Sequence, residues 1–392
     1  MNDNHSIINK GLRGVIVAST KISDVDGQAG KLIYRGYLVQ DLAERTSFEE
    51  VAHLLLFEKL PDRKELESFT KRLTEARDIP HAIIEALKTR PPDSLPMDIL
   101  QASIPMIANH DPDIGNSSLE ACRDRAISLI AKFPGIVAAW ERIRNGKDIV
   151  PPNPELGHAA NFLYMLKGET PGADAEHFFD VGLVLHAEHS FNASTFSARQ
   201  VASTRAHMYA AVAAAVGSLS GELHGGANVR VMEMLKRIGS VDKVQDYINR
   251  ELDAGRVIFG LGHAVYKRDD PRALILAPMA EAMCKKMGEP HWYDISKRLE
   301  EKSKEAFKQR KGIDIFLNVD FFSASLYYAM GIPTDLFTPV FAISRIAGWT
   351  AHVLEEQFAG AAPKPALYRP GSDYIGEYCG PEECTFTPMD ER

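Results

Sequence analysis

The feature of this sequence that most limits its fold is a helical pattern that continues, with few interruptions, from residue 47 to about residue 358. Apolar residues recur at helical spacing, and the SFEE sequence at residues 47–50 is a capping box that predicts the start of a helix. A second helix is predicted to begin at Asp62, and the VPPNP sequence at residues 150–154 predicts a break between helices. We therefore expect a mainly α protein.

A small β element is predicted before the first helix. Residues 14–19 and 31–35 are β-prone runs separated by glycine-containing turn sequence. The remaining strand candidates, residues 256–259 and 313–317, are short. From residue 363 onward, proline and glycine are frequent, which predicts an irregular C-terminal tail.

Composition excludes some classes of protein. The 392 residues carry 45 Lys and Arg against 53 Asp and Glu, a formal net charge of −8. A dedicated nucleic-acid binder needs a basic surface, so this charge disfavours that class. The longest nearly apolar stretch, residues 209–219, is much shorter than the roughly 20 residues that span a membrane. The four cysteines form no CxxC pair, and we expect a soluble protein in the reducing cytoplasm.

The first segment with possible chemistry is GELHGGAN, residues 221–228, between predicted helices at 204–219 and 229–237. Two glycines after His224 allow the backbone to approach a ligand closely. The positive end of the following helix disfavours an imidazolium, so we expect His224 to be neutral and able to donate an N–H. Such a donor can stabilise an enolate. The alternative is a turn histidine that only caps a helix.

The second segment, residues 259–272, combines His263 with three nearby cations, Lys267, Arg268 and Arg272. This set suits an anionic substrate. Its glycines form only a GxG sequence, which does not support a dinucleotide fingerprint. The DP pair at residues 270–271 predicts a helix start that places Arg272 in the first turn. The alternative is a solvated charged loop.

Two more segments place a charge among apolar residues. Desolvation would raise the pKa of Asp320 and make it a better general base, although it could instead cap a helix at residues 321–330. Arg345 lies in an apolar helix and needs a buried anion, which is either a protein carboxylate or a ligand.

A metal site is a further alternative. The HAEH sequence at residues 186–189 places two histidines three residues apart on a helix, and other histidines could complete a ligand set. This alternative predicts a metal-dependent helical hydrolase, whose ligands would be chosen from His158, His186, Glu188, His189 and His207.

Several motifs occur together in one order and resemble those of the citrate synthase family. They span residues from about 12 to 376. The motifs are GKLIYRGY (30–37), AEHSFNAST (187–195), LHGGAN (223–228), GHAVYK with DPR (262–272), NVDFFS (318–323), GIPTDLFT (331–338), RIAGW (345–349) and RP (369–370).

The resemblance implies condensation of acetyl-CoA with oxaloacetate and hydrolysis of the thioester to citrate and CoA. It implies that Asp320 is the base, that His224 holds the thioester oxygen and that His263 polarises the oxaloacetate carbonyl. The residues implied to hold carboxylates are His189, Arg272, Arg345 and Arg369, the last across a dimer interface. The implied CoA-binding residues are Val257, Gly260, Gly262 and Lys267. No metal or other cofactor is implied.

The resemblance also implies a two-domain homodimer. A large helical domain would comprise residues 1–224 and 326–392, and a small mobile domain, residues 225–325, would close over the substrates. The chain departs from many relatives in having Gly371 in place of a second arginine and extra residues around 361–364. Other departures are His207, Glu222 and Val229.

Two alternative activities besides the hydrolase remain open. A 2-methylcitrate synthase would use propionyl-CoA, and one methylene in an apolar pocket changes discrimination by only about 1–3 kcal/mol. A catalytically silent member that senses CoA or a dicarboxylate is the third class, which the retained His224, His263 and Asp320 disfavour.

Overall fold

The computed structural model describes residues 10–12, 14–263, 265–376 and 387–391. Cys379, Cys384 and much of the predicted irregular tail therefore lie outside the described residues. Within the described part, no helix has the length and apolar character required to cross a membrane.

The described residues form sixteen α-helices. The first eight are α1 (Val39–Arg45), α2 (Phe48–Phe57), α3 (Arg63–Glu75), α4 (His81–Lys88), α5 (Pro96–Ala108), α6 (Leu119–Arg144), α7 (His158–Lys167) and α8 (Ala173–His186). The others are α9 (Ala193–Ser203), α10 (Met208–Leu219), α11 (Ala227–Ile238), α12 (Val244–Asp253), α13 (Pro271–Lys286), α14 (His291–Lys311), α15 (Asp320–Ala329) and α16 (Phe337–Gln357). The expectation of a mainly α protein is confirmed.

A small antiparallel sheet precedes α1. Its strands are β1 (Ser23–Asp26), β2 (Lys31–Tyr34) and β3 (Tyr37–Leu38). The prediction for residues 31–35 is confirmed, but the prediction for residues 14–19 is wrong. Ile16 is 91% exposed and Val15 is 39% exposed, so that run has no buried face and does not join the sheet. The true first strand is SDVD, which pairs Ser23 with Tyr34.

Local capping explains several helix starts. Ser47 and Glu50 form both bonds of a capping box at α2, and Asp62 and Glu65 do the same at α3. Asp270 accepts a hydrogen bond from the Arg272 N–H, and Pro271 is the first residue of α13. These predicted helix starts are confirmed.

Other local predictions were wrong. The helix predicted at residues 204–219 begins at Met208, because Arg205 has a left-handed φ of 64° and His207 caps α10 through its Nδ1. The strand candidates at residues 256–259 and 313–317 form no strand. Leu261 and Leu317 make an isolated antiparallel bridge instead.

Helix α16 organises the core. Nineteen of its residues are buried, and it contacts α2, α5, α6, α8, α9 and α10. Helices α11 to α15 pack largely against one another, whereas α13 also contacts α8 and α11 also contacts α16. This grouping lies close to the predicted small domain, residues 225–325, but the division into domains and its mobility stay predictions.

Candidate active site

A cavity of about 690 Å³ lies where four loops and α16 meet. The loops follow α8, α10 and α12 and precede α15. Six of the seven residues predicted to act in catalysis or to hold carboxylates line this cavity, namely His189, His224, His263, Arg272, Asp320 and Arg345. The seventh, Arg369, is exposed and does not line it.

His224 is held by the turn between α10 and α11. A Cβ on Gly225 would lie 1.8 Å from the carbonyl oxygen of Leu219, so the turn requires glycine there. The backbone N–H of Ser194 donates to His224 Nε2 over 3.1 Å. A neutral His224 therefore carries its proton on Nδ1. Burial, together with the positive charge of Arg345, lowers the pKa of His224 to about 4, which agrees with the expected neutral state.

His263 is fixed by its own loop. The backbone N–H groups of Val265 and Tyr266 donate to His263 Nδ1 over 3.0 and 3.1 Å. Burial and the nearby charge of Arg272 lower the pKa of His263 to about 4. The ring is therefore neutral near pH 7, and its proton lies on Nε2.

His189 completes a group of three neutral imidazoles. Its Nε2 lies 3.3 Å from the hydroxyl of Tyr266, and its ring centroid is 5.5 Å from that of His263. Burial and the charges of Arg272 and Arg345 hold the pKa of His189 well below its usual range. A neutral histidine can donate one hydrogen bond to an anionic ligand without adding charge.

Arg272 is a buried cation with a protein partner. It is 3% exposed, and its guanidinium makes two hydrogen bonds to Asp270, of 3.0 and 2.7 Å. Burial alone would lower the pKa of Arg272, but the Asp270 carboxylate raises it above its usual value. Arg272 is thus held in one orientation while it lines the cavity.

Arg345 is buried, and its surroundings differ from those of Arg272. It is 2% exposed, its Nε donates to the carbonyl oxygen of His186 over 2.7 Å, and its guanidinium lies 4.7 Å from the centre of the Phe341 ring. Among the described residues, no carboxylate lies within 4 Å of it. Burial lowers the pKa of Arg345 to about 10, against the effect of the more distant Glu188. This geometry favours a ligand anion over a protein carboxylate.

Asp320 is the first residue of α15. Val319 is the N-cap, so capping does not account for Asp320. Burial raises the pKa of Asp320 to about 6; the charge of Arg272 opposes this shift, and that of Asp270 adds to it. Asp320 is therefore a stronger base than an exposed aspartate and is still largely ionised near pH 7.

Three residues without a predicted role assemble this site. Ser194 orients His224, and Tyr266 contacts two of the histidines. The amide of Asn318 donates to the carbonyl oxygen of Gly262 over 3.2 Å and accepts the N–H of Asp320 over 3.1 Å. Asn318 thus ties the loop of His263 to the base. Ser194 and Asn318 lie inside the NAST and NVDFF sequences, which is the one signal that could have identified them.

The predicted CoA-binding residues have mixed surroundings. Val257 is 65% exposed and Lys267 is exposed, while Gly262 lines the cavity. Gly260 has a φ of 80°, and a Cβ there would lie 2.5 Å from the Phe321 ring. Packing against α15 therefore accounts for Gly260 without a ligand.

The residues of the alternative metal site do not come together. His158 packs on Phe48, His186 Nδ1 lies 3.2 Å from the hydroxyl of Tyr327, and Glu188 lies 3.0 Å from His352. In the described ranges, no group of three or more His, Cys, Asp or Glu residues is arranged to hold a metal ion. The hydrolase alternative therefore has no metal site in this part of the chain.

Comparison with models of protein families shows to which family this chain belongs. Residues 11–371 match the family model described as citrate synthase, C-terminal domain. The chain belongs to the citrate synthase family. The predicted family and its acyltransferase class of enzyme are thus confirmed.

Individual relatives match over nearly their whole length. The citrate synthase of a Synechocystis species is 44% identical, over 100% of this chain and 96% of its own. The 2-methylcitrate synthase of Shewanella oneidensis is 39% identical, over 96% and 97%. A solved citrate synthase from Thermoplasma acidophilum, in ternary complex with carboxymethyl coenzyme A and oxaloacetate, is 30% identical with a TM-score of 0.90, over 98% of this chain and 100% of that one. The citrate synthase fold is confirmed.

Proposed function

We propose that this member of the citrate synthase family condenses acetyl-CoA with oxaloacetate and hydrolyses the product to citrate and CoA. One observation carries the proposal. Two neutral histidines each accept backbone N–H groups on one ring nitrogen, which leaves a fixed N–H on the other, and both line one cavity with a raised-pKa aspartate. Carbon–carbon bond formation between two carbonyl compounds is accelerated by a hydrogen-bond donor at each carbonyl oxygen and by a base that removes the proton.

Oxaloacetate supplies two carboxylates and one keto oxygen. Arg345, which has no carboxylate within 4 Å in the part of the chain that the structure describes, is the first candidate to bind a substrate carboxylate, and Arg272 and His189 supply further donors. The Nε2–H of His263 would donate to the keto oxygen and make the keto carbon more electrophilic. Burial of these donors strengthens each interaction.

The acyl thioester supplies the nucleophile. Asp320 would remove a proton from the methyl group while the Nδ1–H of His224 hydrogen-bonds the thioester oxygen, which stabilises the enol or enolate. The methyl carbon then bonds to the keto carbon, and the keto oxygen takes up a proton to become a hydroxyl. Water cleaves the thioester and gives citrate and the CoA thiol.

Acyl-CoA would approach over the loop of His263. Leu223 and Val265 line the cavity mouth as exposed apolar side chains, which suits the apolar part of the thioester. Val257, Gly260, Gly262 and Lys267 remain the proposed CoA-binding residues, although the packing of Gly260 on Phe321 is by itself a sufficient reason for glycine there. The proposed reaction needs no other cofactor. Closure of residues 225–325 would exclude water until the new bond has formed.

A homodimer in the cytoplasm is part of the proposal. Arg369 lies outside the cavity of its own chain, and Leu367 close by is 59% exposed. In a dimer, the segment around Arg369 would pack on the partner subunit, and the arginine would add a carboxylate donor to the partner's site.

The second candidate is 2-methylcitrate synthase, which the 39% identity to the Shewanella enzyme favours. The test measures CoA release with oxaloacetate and either acetyl-CoA or propionyl-CoA, and compares kcat/KM. A strong preference for acetyl-CoA supports the proposal. Equal or better use of propionyl-CoA moves the protein to the second candidate, and no turnover with either thioester rejects both.

A further inference from the structure

The proposed reaction leaves the small sheet without a role, although two polar side chains of the sheet point into the core. Ser23 on β1 and Tyr34 on β2 are directly paired across the strands, so both side chains lie on one face. Ser23 is 9% exposed and Tyr34 is fully buried. Buried polar groups need specific partners.

The partners of Ser23 lie on both sides of His189. Its hydroxyl donates to Glu188 Oε1 over 2.9 Å and accepts the backbone N–H of Ser190 over 3.0 Å. Ser190 has a left-handed φ of 52°, which is unfavourable for a residue with a Cβ. A single hydroxyl thus joins the two residues that flank His189 and satisfies the N–H of the strained one.

Tyr34 contacts the backbone just before His189, at the end of α8 and in the turn after it. Its hydroxyl lies 2.9 Å from the carbonyl oxygen of Glu188 and 3.1 Å from that of Leu185, and it can donate its proton to one of them. The N–H of Glu188 is 3.3 Å from the same hydroxyl. The sheet therefore holds the end of α8 and the turn after it through side chains of two strands.

The turn between β1 and β2 contacts the loop of His263. The carbonyl oxygen of Gly27 accepts the N–H of Lys267 over 2.8 Å. A Cβ on Gly27 would lie 2.2 Å from the carbonyl oxygen of Val265, so the loop approaches as closely as glycine permits. One hairpin therefore touches both histidine-bearing segments.

We propose that the β1–β2 hairpin positions the oxaloacetate-binding histidines, and that Ser23 is a positioning residue that acts through His189. The identity of the ligand rests on the proposed function. The positioning of the turn around His189 by the hairpin, which we call the hairpin clamp, rests on the hydrogen bonds of Ser23 and Tyr34. Ser23 is not among the residues that line the cavity. It fixes the backbone on both sides of His189, so its loss lets the imidazole leave the geometry in which it binds a carboxylate.

The kinetic test compares Ser23→Ala with wild type. A lost hydrogen bond to a charged group predicts a rise of about tenfold in KM for oxaloacetate, with KM for acyl-CoA nearly unchanged. Ser23→Thr, which keeps a hydroxyl, should restore most of the affinity. The matched control is Ser296→Ala, which removes another buried serine hydroxyl, one that donates to the carbonyl oxygen of Trp292 on α14. A merely structural serine would lower Tm in both variants and leave KM for oxaloacetate unchanged.

Amide hydrogen exchange gives a second readout that needs no turnover. Peptides covering residues 186–192 should exchange faster in Ser23→Ala than in wild type, and those of the Ser296→Ala variant should not. If wild type shows no condensation, the proposed function fails. The exchange measurement still tests whether the hairpin clamp holds residues 186–192, because it needs no turnover. Unchanged exchange, or equal KM for oxaloacetate in both alanine variants, overturns the proposal. If Ser23→Ala does not fold, Tyr34→Phe removes the other hydroxyl of the hairpin clamp. That variant should likewise show a higher KM for oxaloacetate and faster exchange of residues 186–192.

Discussion

Arg199, in a buried polar cluster behind the active-site cavity, is paired with carboxylates, whereas Arg345, in the cavity itself, has no such partner among the described residues. In the cluster, which consists of Glu188, Arg199, His352, Glu355 and Glu356, each side chain has a polar partner within the cluster. Arg199 lies 2.7 Å from Glu355 and 2.6 Å from Glu356, and His352 lies 3.0 Å from Glu188. In the cavity, Arg345 has no carboxylate within 4 Å among the described residues. Removing one partner of a buried ion pair is costly because the other charge is left buried alone, whereas an unpaired buried charge is tolerated where a ligand completes it.

The two regions meet at Glu188. One oxygen of Glu188 accepts hydrogen bonds from His352 and from Ser23, and the other, Oε2, has no hydrogen-bond partner among the described residues. A Cβ on Gly348 would lie 2.2 Å from Oε2, so glycine leaves room for this carboxylate beside α16. Its charge favours the protonated form of Arg345 without binding it. The Glu188 carboxylate of the cluster therefore stabilises the positive charge of Arg345 without a direct ion pair.

The largest expected effect tests the base in the cavity. Asp320→Asn keeps the shape and removes the carboxylate, and turnover should fall by about 1,000-fold, within the range for loss of a general base. Tm should be unchanged or higher, because a desolvated carboxylate is removed. The control is Asp314→Asn, at an exposed aspartate that pairs with Lys308. Wild-type turnover in Asp320→Asn would show that another group takes the proton.

The second prediction compares the loss of Arg345 with the loss of Arg199, in substrate binding and in stability. Arg345→Met should raise KM for oxaloacetate by about 100-fold, since a buried charge pair with substrate is lost, and should leave the free energy of unfolding unchanged or higher. Arg199→Met should lower the free energy of unfolding by about 3 kcal/mol, because Glu355 and Glu356 remain buried without their partner. Steady-state kinetics and urea unfolding of both variants test this. A stability loss in Arg345→Met as large as in Arg199→Met would mean that Arg345 has a structural carboxylate.

Local sequence patterns predicted what depends on neighbours along the chain. The capping box at Ser47 and the helix starts at Asp62 and Asp270 were predicted because the residues that form each cap lie within three positions of one another. The motifs also identified six side chains that the fold brings to one cavity. They did not identify the partners that hold those side chains. Ser23 and Glu188 are 165 residues apart, and no local pattern reports such a contact. The failed strand at residues 14–19 has the same cause, since a strand depends on a partner elsewhere.

The third prediction concerns pH and separates the base from the histidines. Because the pKa of Asp320 is about 6, kcat/KM should fall about tenfold per pH unit below pH 6. His224 and His263, with pKa values of about 4, stay neutral over this range. The stability that Asp320 contributes is present in full below its unfolded pKa and is lost as pH rises through 6, so this group does not unfold the protein in acid. A kcat/KM profile from pH 5 to 8, with Tm at each pH, tests this, and a flat profile would contradict it.

The smallest expected effect concerns an exposed charge on the loop of His263. Lys267 is exposed and has no carboxylate within 4 Å among the described residues, whereas Lys308, also exposed, lies 3.0 Å from Asp314. If Lys267 contacts a phosphate of CoA, Lys267→Ala should raise KM for acyl-CoA by about threefold, the range for an exposed ion pair. Lys308→Ala, which removes a charge that already has a partner, should leave KM unchanged. The difference between the variants should shrink in about 0.5 M salt, because screening weakens exposed charge pairs more than buried ones. An effect of Lys267→Ala that salt does not reduce would instead mean that the substitution moves the backbone of the His263 loop. In that loop, the backbone N–H of Lys267 donates a hydrogen bond to the carbonyl oxygen of Gly27.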